Sequence, residues 1–330
     1  MEMDHIILPD LPAVDGLIVH TSSEGELGSN LLSSLEGVPG NEEIRAALTE
    51  TDVVQQRKGW LVAEIHHRIV GAAVIESWHE EDGRWVYQIR GWVLPDWRGQ
   101  GFGTAMLHWG ETASRKLAAG EHPGEAFEFA GQANRTNSDA TVLLVNEGYA
   151  FGYTELEMEL GQAVPLAVSP LPPGIELRLA LPEHIPLIAE SIADAYRDEF
   201  PDHRFHHTQS EVAGQTAWYS SPLHDRSLWQ VAWDKANGTV AGQVLPMLKG
   251  PEYGYIDEVS VRAGWRRKGV ARALLTRALL DLRSRGVSVI GLNTTGEFRT
   301  RARDLYTSLG FEVVKTVLCY RKSPGFVQTR

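Results

Sequence analysis

The sequence predicts an α/β (α+β) protein built from two tandem copies of one domain. A loop of pattern Arg-x-x-Gly-x-(Gly/Ala) occurs twice, as Arg98-Gly99-Gln100-Gly101-Phe102-Gly103 and as Arg266-Arg267-Lys268-Gly269-Val270-Ala271. The residues ahead of the loops match as well, because Tyr87, Val93 and Trp97 stand at the same offsets as Tyr255, Val261 and Trp265. Such self-similarity is the mark of an internal repeat. A proline-rich stretch, Val164 to Gly174, lacks helical periodicity and reads as a semi-rigid linker. The expected domains are therefore residues 1–163 and 175–330, joined by 164–174.

The elements follow in the same order in both copies. Trp60 to Ile65 and Ile69 to Trp78 form a hairpin pattern turning at His66-His67-Arg68, and Leu228 to Trp233 with Thr239 to Leu248 form another turning at Lys235 to Gly238. A strand then runs into each loop, and an amphipathic helix leaves it, over Thr104 to Ala118 and Arg272 to Arg285. In the second of these, Ala273, Leu274, Leu275, Ala278, Leu279 and Leu282 recur at helical spacing. Each copy closes with a short apolar run, a second helix and a Gly-aromatic step, Gly148-Tyr149 and Gly310-Phe311. The second copy opens with a strand over Ile175 to Ala180 and a helix over Pro182 to Asp198. The first copy is longer between loop and Gly-aromatic step, and the surplus is expected near Gly120 to Gly131.

Composition narrows the function classes. A chain of 330 residues supports two cores. Its formal net charge of −12 argues against nucleic acid, which requires a basic face. The single cysteine, Cys319, excludes an intramolecular disulfide and offers no zinc spacing. No apolar run reaches membrane-spanning length, and Met1-Glu2-Met3-Asp4 has no basic leader, so the expectation is a soluble cytoplasmic protein, monomer or homodimer.

Small residues at a strand-to-helix turn let backbone N–H groups converge on an anion, with the helix dipole adding to the attraction. Gly269 and Ala271 leave such a path open, and Arg266, Arg267 and Lys268 add positive charge. The first loop keeps Gly99, Gly101 and Gly103, beside Gln100 and Phe102, but carries only Arg98. A weaker attraction for a phosphate is expected there.

Strand, Arg-x-x-Gly-x-(Gly/Ala), helix, strand, then Ala302-x-x-Leu305-Tyr306-x-x-Leu309-Gly310-Phe311 resembles the GNAT superfamily of N-acetyltransferases. The duplication resembles tandem members such as the mycothiol synthases. The resemblance implies, for each copy, a mixed and mostly antiparallel sheet flanked by helices and splayed between its fourth and fifth strands. It places acetyl-CoA in that opening as co-substrate, with no metal. Its pyrophosphate would lie on the Gly loop, over Arg266 to Arg272 in one copy and Arg98 to Gly103 in the other. Its pantetheine would run alongside the fourth strand, near Val259 and Val261, and near Val93 in the first copy.

Acetyl transfer to an amine requires an acid for the leaving thiolate, a base for the amine proton and a donor for the carbonyl oxygen. By resemblance, Tyr306 stands where the acid stands in relatives, a backbone N–H between Val259 and Val261 serves the carbonyl, and Glu258 is the candidate base. Asp257 and Glu258 are strand neighbours, so a regular pleat lets one of them face the cleft, unless a bulge breaks the parity. Tyr255 and the histidines His203, His206 and His207 are further candidates for the base, and the histidines also for a metal.

The copies diverge in complementary ways. Leu144 replaces the acid in the first, whereas Asn137 there corresponds to Arg299 in the second, where Asn293 is the expected coenzyme contact. The second copy is expected to be catalytic on a small-molecule primary amine, and the first a coenzyme-binding or structural domain. A non-catalytic acyl-CoA sensor and a thiol-sugar amine acetylase remain alternatives.

Overall fold

A computed structural model describes residues 11, 14–22, 44, 57–80, 82–197, 212–296 and 301–325. His203, His206, His207 and Arg299 lie outside the described residues. The chain divides into two compact units, Met1–Gly152 with Leu318–Arg330, and Tyr153–Val317.

In the first unit the strands β1 (Leu17–Ser22), β2 (Arg57–Ile65), β3 (Arg68–His79), β4 (Trp85–Val93) and β5 (Phe127–Asn134) lie side by side in sequence order. All pairs are antiparallel except β4 with β5. The expected hairpin is β2–β3, whose turn residues His66 and His67 both take positive φ, 46° and 62°, as a tight turn matched to strand twist requires. Helix α1 (Phe102–Glu121) leaves the Gly loop and packs on β3 and β4, and α2 (Ser138–Asn146) follows β5. Asn137 caps α2, its Oδ1 accepting from the Ala140 N–H at 3.2 Å.

The second unit repeats the plan. Strand β6 (Ala150–Gly161) precedes β7 (Ile175–Arg178), α3 (Ile185–Tyr196), α4 (Val212–Tyr219), β8 (Gln230–Asp234), β9 (Val240–Leu248) and β10 (Tyr253–Val261). Helix α5 (Val270–Ser284), β11 (Val289–Thr295), α6 (Ala302–Ser308) and β12 (Glu312–Lys322) complete the chain. The order within the unit is β6-β11-β10-β9-β8-β7, with β10 and β11 parallel and the other pairs antiparallel. Helix α5 seals one core with Leu274, Leu275, Ala278, Leu279 and Leu282. Helix α1 has 20 residues against 15 in α5, which accounts for most of the surplus in the first copy.

Matching hydrogen bonds close the second helices. Gly148 and Gly310 take φ of 84° and 95°, and the next N–H reaches back five residues, Tyr149 to Leu144 at 2.9 Å and Phe311 to Tyr306 at 3.1 Å. This left-handed C-terminal cap favours glycine, because a Cβ would clash with the backbone there.

Two segments depart from the linear division at 163 and 175. Residues 153–161 pair with β11 in register from Glu155↔Thr295 to Gly161↔Val289, so they belong to the second unit. Residues from Leu318 onward belong to the first, where Tyr320 joins the core of Tyr87, Phe129 and Leu144. The proline-rich stretch is docked instead of bridging open solvent. Its Ser169 N–H donates to Thr276 Oγ1 at 3.0 Å, and Arg277 and Arg283 donate to the Ser169 and Val164 carbonyls at 2.7 and 2.6 Å.

Buried charge secures the returning strand. Lys322 Nζ lies 2.6 Å from Glu111 Oε1, with side-chain exposures of 7% and 6%. Tyr149 Oη donates to the same oxygen at 3.1 Å, and Arg321 pairs with buried Glu80 at 2.8 Å. Arg115 also reaches Glu111, at 3.3 Å, but is itself exposed, so losing Lys322 leaves the buried carboxylate only partly compensated. Lys322→Ala is expected to cost about 2 kcal/mol in urea unfolding. Glu111→Gln added to that variant should recover part of the loss; a further loss instead would show that the charge is not what the lysine neutralises.

Candidate active site

Strands β10 and β11 run together from Tyr253↔Val289 to Ile256↔Leu292 and pair no further. At the same point the β10–β9 register slips, since Ile256 faces Pro246 while Glu258 faces Leu245. Asp257 is thus the extra residue of a β-bulge, which bends the strand and interrupts its ladder. The bulge removes the simple alternation expected for Asp257 and Glu258. The corresponding β3–β4 register runs unbroken from Gly71↔Val93 to His79↔Trp85.

The opening past the bulge is a cavity of about 920 Å³. It brings together most residues expected from the sequence: Val259, Val261, Arg266, Arg267, Gly269, Val270, Ala271, Arg272, Asn293 and Tyr306 all line it. Asp257 and Tyr196 line it too, whereas Glu258 and Lys268 do not. Gly269 caps α5 at φ 87°, and a Cβ placed there would meet nothing within 4 Å, so the glycine keeps open the approach to the helix N-terminus. The first N–H groups of α5, on Val270, Ala271 and Arg272, have no partner within the helix and suit a pyrophosphate.

The cations of the loop divide their duties. Arg266 Nε donates to the Val261 carbonyl at 3.1 Å, and its Nη2 to the Ala195 carbonyl. Arg98 repeats the first contact, Nε to the Val93 carbonyl at 3.0 Å. The shared arginine is therefore a clasp that ties each loop to the end of its strand. Lys268 Nζ lies over the Trp265 ring at 4.6 Å, a cation–π contact. The side chains of Val270 and Phe102 are buried in their cores, so only their backbones face a ligand. In the first copy, Gly101 takes φ 90° as the cap of α1, and a Cβ on Gly103 would lie 3.2 Å from Leu143. Gln100 Nε2 donates to the Asp96 carbonyl, and Gly99 is exposed at φ 72°.

Tyr306 is 5% exposed and meets Phe311 edge-on at 6.0 Å. Leu144, its counterpart, is also buried and stands 2.6 Å from where a Cβ on Gly131 would be.

The two carboxyls sit where the strands part, Asp257 on the cavity wall and Glu258 buried. Glu258 is buried, and its oxygens accept from Tyr196 Oη at 3.3 and 3.4 Å. Burial pushes its pKa up to about 8, Asp257 adds repulsion, and hydrogen bonds from Ser260 and Tyr196 pull it back. Asp257 accepts from Trp218 Nε1 at 3.3 Å, and burial raises its pKa too. Burial and Asp257 hold the Tyr255 hydroxyl well above its ordinary value, which keeps it protonated near neutral pH and unable to take a proton there. Tyr196 and Trp218 carry no motif; they lie 62 and 39 residues from the carboxyls they touch, and only the packing of α3 and α4 reveals them.

A family model described as Acetyltransferase (GNAT) family matches residues 189–311, and one described as Acetyltransferase (GNAT) domain matches residues 56–140. The chain belongs to the GNAT acetyltransferase family. It is an acyltransferase with two GNAT domains in tandem. A GCN5-related N-acetyltransferase from Sphaerobacter thermophilus superposes with a TM-score of 0.72 at 22% identity, covering 95% of this chain and 97% of that one. A tandem GNAT protein from the clavulanic acid biosynthesis pathway superposes with a TM-score of 0.63 at 14% identity, covering 94% and 100%. No curated protein sequence matches this chain significantly. Among the described residues no helix is long and apolar enough to cross a membrane, and no cluster of His, Cys, Asp or Glu is placed to hold a metal ion.

The clasp is testable apart from catalysis. Arg266→Ala is expected to lower the unfolding free energy by about 1.5–3 kcal/mol, the worth of charged hydrogen bonds to carbonyls. Arg266→Lys should not restore it, because an ammonium cannot span both acceptors. Wild-type stability in the alanine variant would show that the guanidinium is not structural.

Proposed function

We propose that the second GNAT domain is an acetyl-CoA-dependent N-acetyltransferase acting on the primary amine of a small molecule by direct attack on the thioester. The observation that carries this is one cavity uniting an open helix N-terminus at Gly269, a bulged strand beside parted β11, and Tyr306. Acetyl-CoA supplies the activated acetyl group. The N–H groups of Val270, Ala271 and Arg272 hold its pyrophosphate, the charges of Arg266, Arg267 and Lys268 attract it, and Asn293 contacts it from β11. A backbone N–H between Val259 and Val261 stabilises the carbonyl oxygen as it becomes negative. Tyr306 gives its hydroxyl proton to the departing sulfur.

Glu258 accepts the amine proton, through the Tyr196 hydroxyl or a water, since Tyr196 both lines the cavity and donates to the carboxylate. Its raised pKa makes it a stronger base than a solvated carboxylate, available as the pH climbs through about 8. The first domain is non-catalytic, with Leu144 in the acid position. Its loop of Arg98, Gly99, Gln100, Gly101, Phe102 and Gly103 keeps the geometry to bind a second coenzyme. The direct test is release of free CoA thiol from acetyl-CoA across a panel of amines; complete inertness with bound coenzyme would favour an acyl-CoA sensor.

Tyr306→Phe removes one hydroxyl with little change of volume, so turnover should fall about 10- to 1000-fold while coenzyme affinity holds. Unchanged single-turnover rates would refute the acid assignment. In the wild type, activity should rise as pH climbs through about 8, because the base works only when ionised. Glu258→Gln should lose that limb and regain activity only at higher pH, where the acceptor itself is neutral. A profile that keeps the same midpoint would move the base elsewhere.

A further inference from the structure

The cavity wall carries the Asp257 carboxyl, with the Glu258 carboxyl buried next to it in the chain, and both are held only by neutral donors. Trp218 and Tyr219 hydrogen-bond Asp257, and Tyr196 and Ser260 hydrogen-bond Glu258. Neither carboxyl forms an ion pair among the described residues; the cations that act on Asp257 from further off are His224 and Lys249. Burying carboxyls without a counter-ion is costly, which is why both resist ionisation there. An arriving cation relieves that cost, and an arriving carboxylate adds to it.

One further observation points to a hydrogen-bonding ligand. Thr294, on the facing strand β11, lines the same cavity with a buried Oγ1 that has no partner among the described residues. A buried hydroxyl of this kind is completed by a ligand or water. An ammonium carries three N–H donors, enough to serve the Asp257 carboxyl and this hydroxyl together.

We infer that the acceptor presents its ammonium group without a carboxylate beside it, as alkylamines and arylalkylamines do, and that the site discriminates against the α-amino group of amino acids. The inference rests on the acetyl-transfer reading above, and names the acceptor class of that same site. Asp257 acts here as the binding residue whose charge sets the preference.

The test is calorimetric titration of the protein saturated with CoA, using three matched pairs: tyramine and tyrosine, phenethylamine and phenylalanine, isoamylamine and leucine. At least one amine is expected to bind tenfold or more tighter than its amino acid. Asp257→Asn should shrink that difference to less than about threefold, Asp257→Glu should retain it, and both variants should bind CoA as the wild type does, which shows that they are folded. An amino acid that binds as tightly as its amine overturns the inference, as does a preference that survives Asp257→Asn. CoA binding with no amine binding overturns the selectivity alone. Absence of CoA binding removes the acetyl-transfer reading and this inference together.

Discussion

Two adjacent parallel strands that cannot stay paired are the constraint on which the second domain depends. Past Ile256, β10 remains committed to β9 as far as Val261↔Gly242, and β11 remains committed to β6 as far as Thr295↔Glu155. Neither strand can turn to close the gap without giving up its outer ladder. The gap is thus held open by hydrogen bonds made elsewhere, a sturdier arrangement than a cleft propped apart by side chains. Each part of the site takes its place from it: the Gly loop where β10 ends, the carboxyls where the strands part, Tyr306 in the wall beyond.

The first domain starts from the same arrangement and fills it differently. Strands β4 and β5 part after Ile89↔Gly131, yet β4 has no bulge. Leu144 packs toward Gly131, and Leu143 toward Gly103. Arg90, at the offset from the loop that Glu258 has in the second domain, pairs with Glu76 at 3.1 Å. Where the second domain has Tyr306, a bulge and a buried carboxylate, the first has Leu144 in an apolar contact, a regular strand and an ion pair.

Much of this was legible in the chain. Glycine spacing, aromatic offsets and alternating apolar residues report local backbone needs, so the loops, the hairpins and the helices that leave the loops could be read directly. The bulge at Asp257 left no mark, because a slip of one residue depends on the partner strand. The arginine run showed why cations belong near the loop but not which oxygens they satisfy; Arg266 serves two backbone carbonyls. Tyr196 and Trp218 were hidden for the same reason, since their meaning lies in contacts between distant elements. The linear domain division missed the destination of residues 153–161 and 318–322, because strand pairing alone decides where they go.

The return of the chain to its first unit also imposes an order in time. A protein is made from its N-terminus, and domains ordinarily fold in the sequence in which they leave the ribosome. Residues 153–317 are complete once Val317 has emerged. The first unit, although nearly all of it is synthesised earlier, still lacks the strand that brings Tyr320 to its core and Lys322 to Glu111. Until Lys322 has emerged, the older unit lacks that strand and the lysine that pairs with Glu111, so the younger one is the first that can finish.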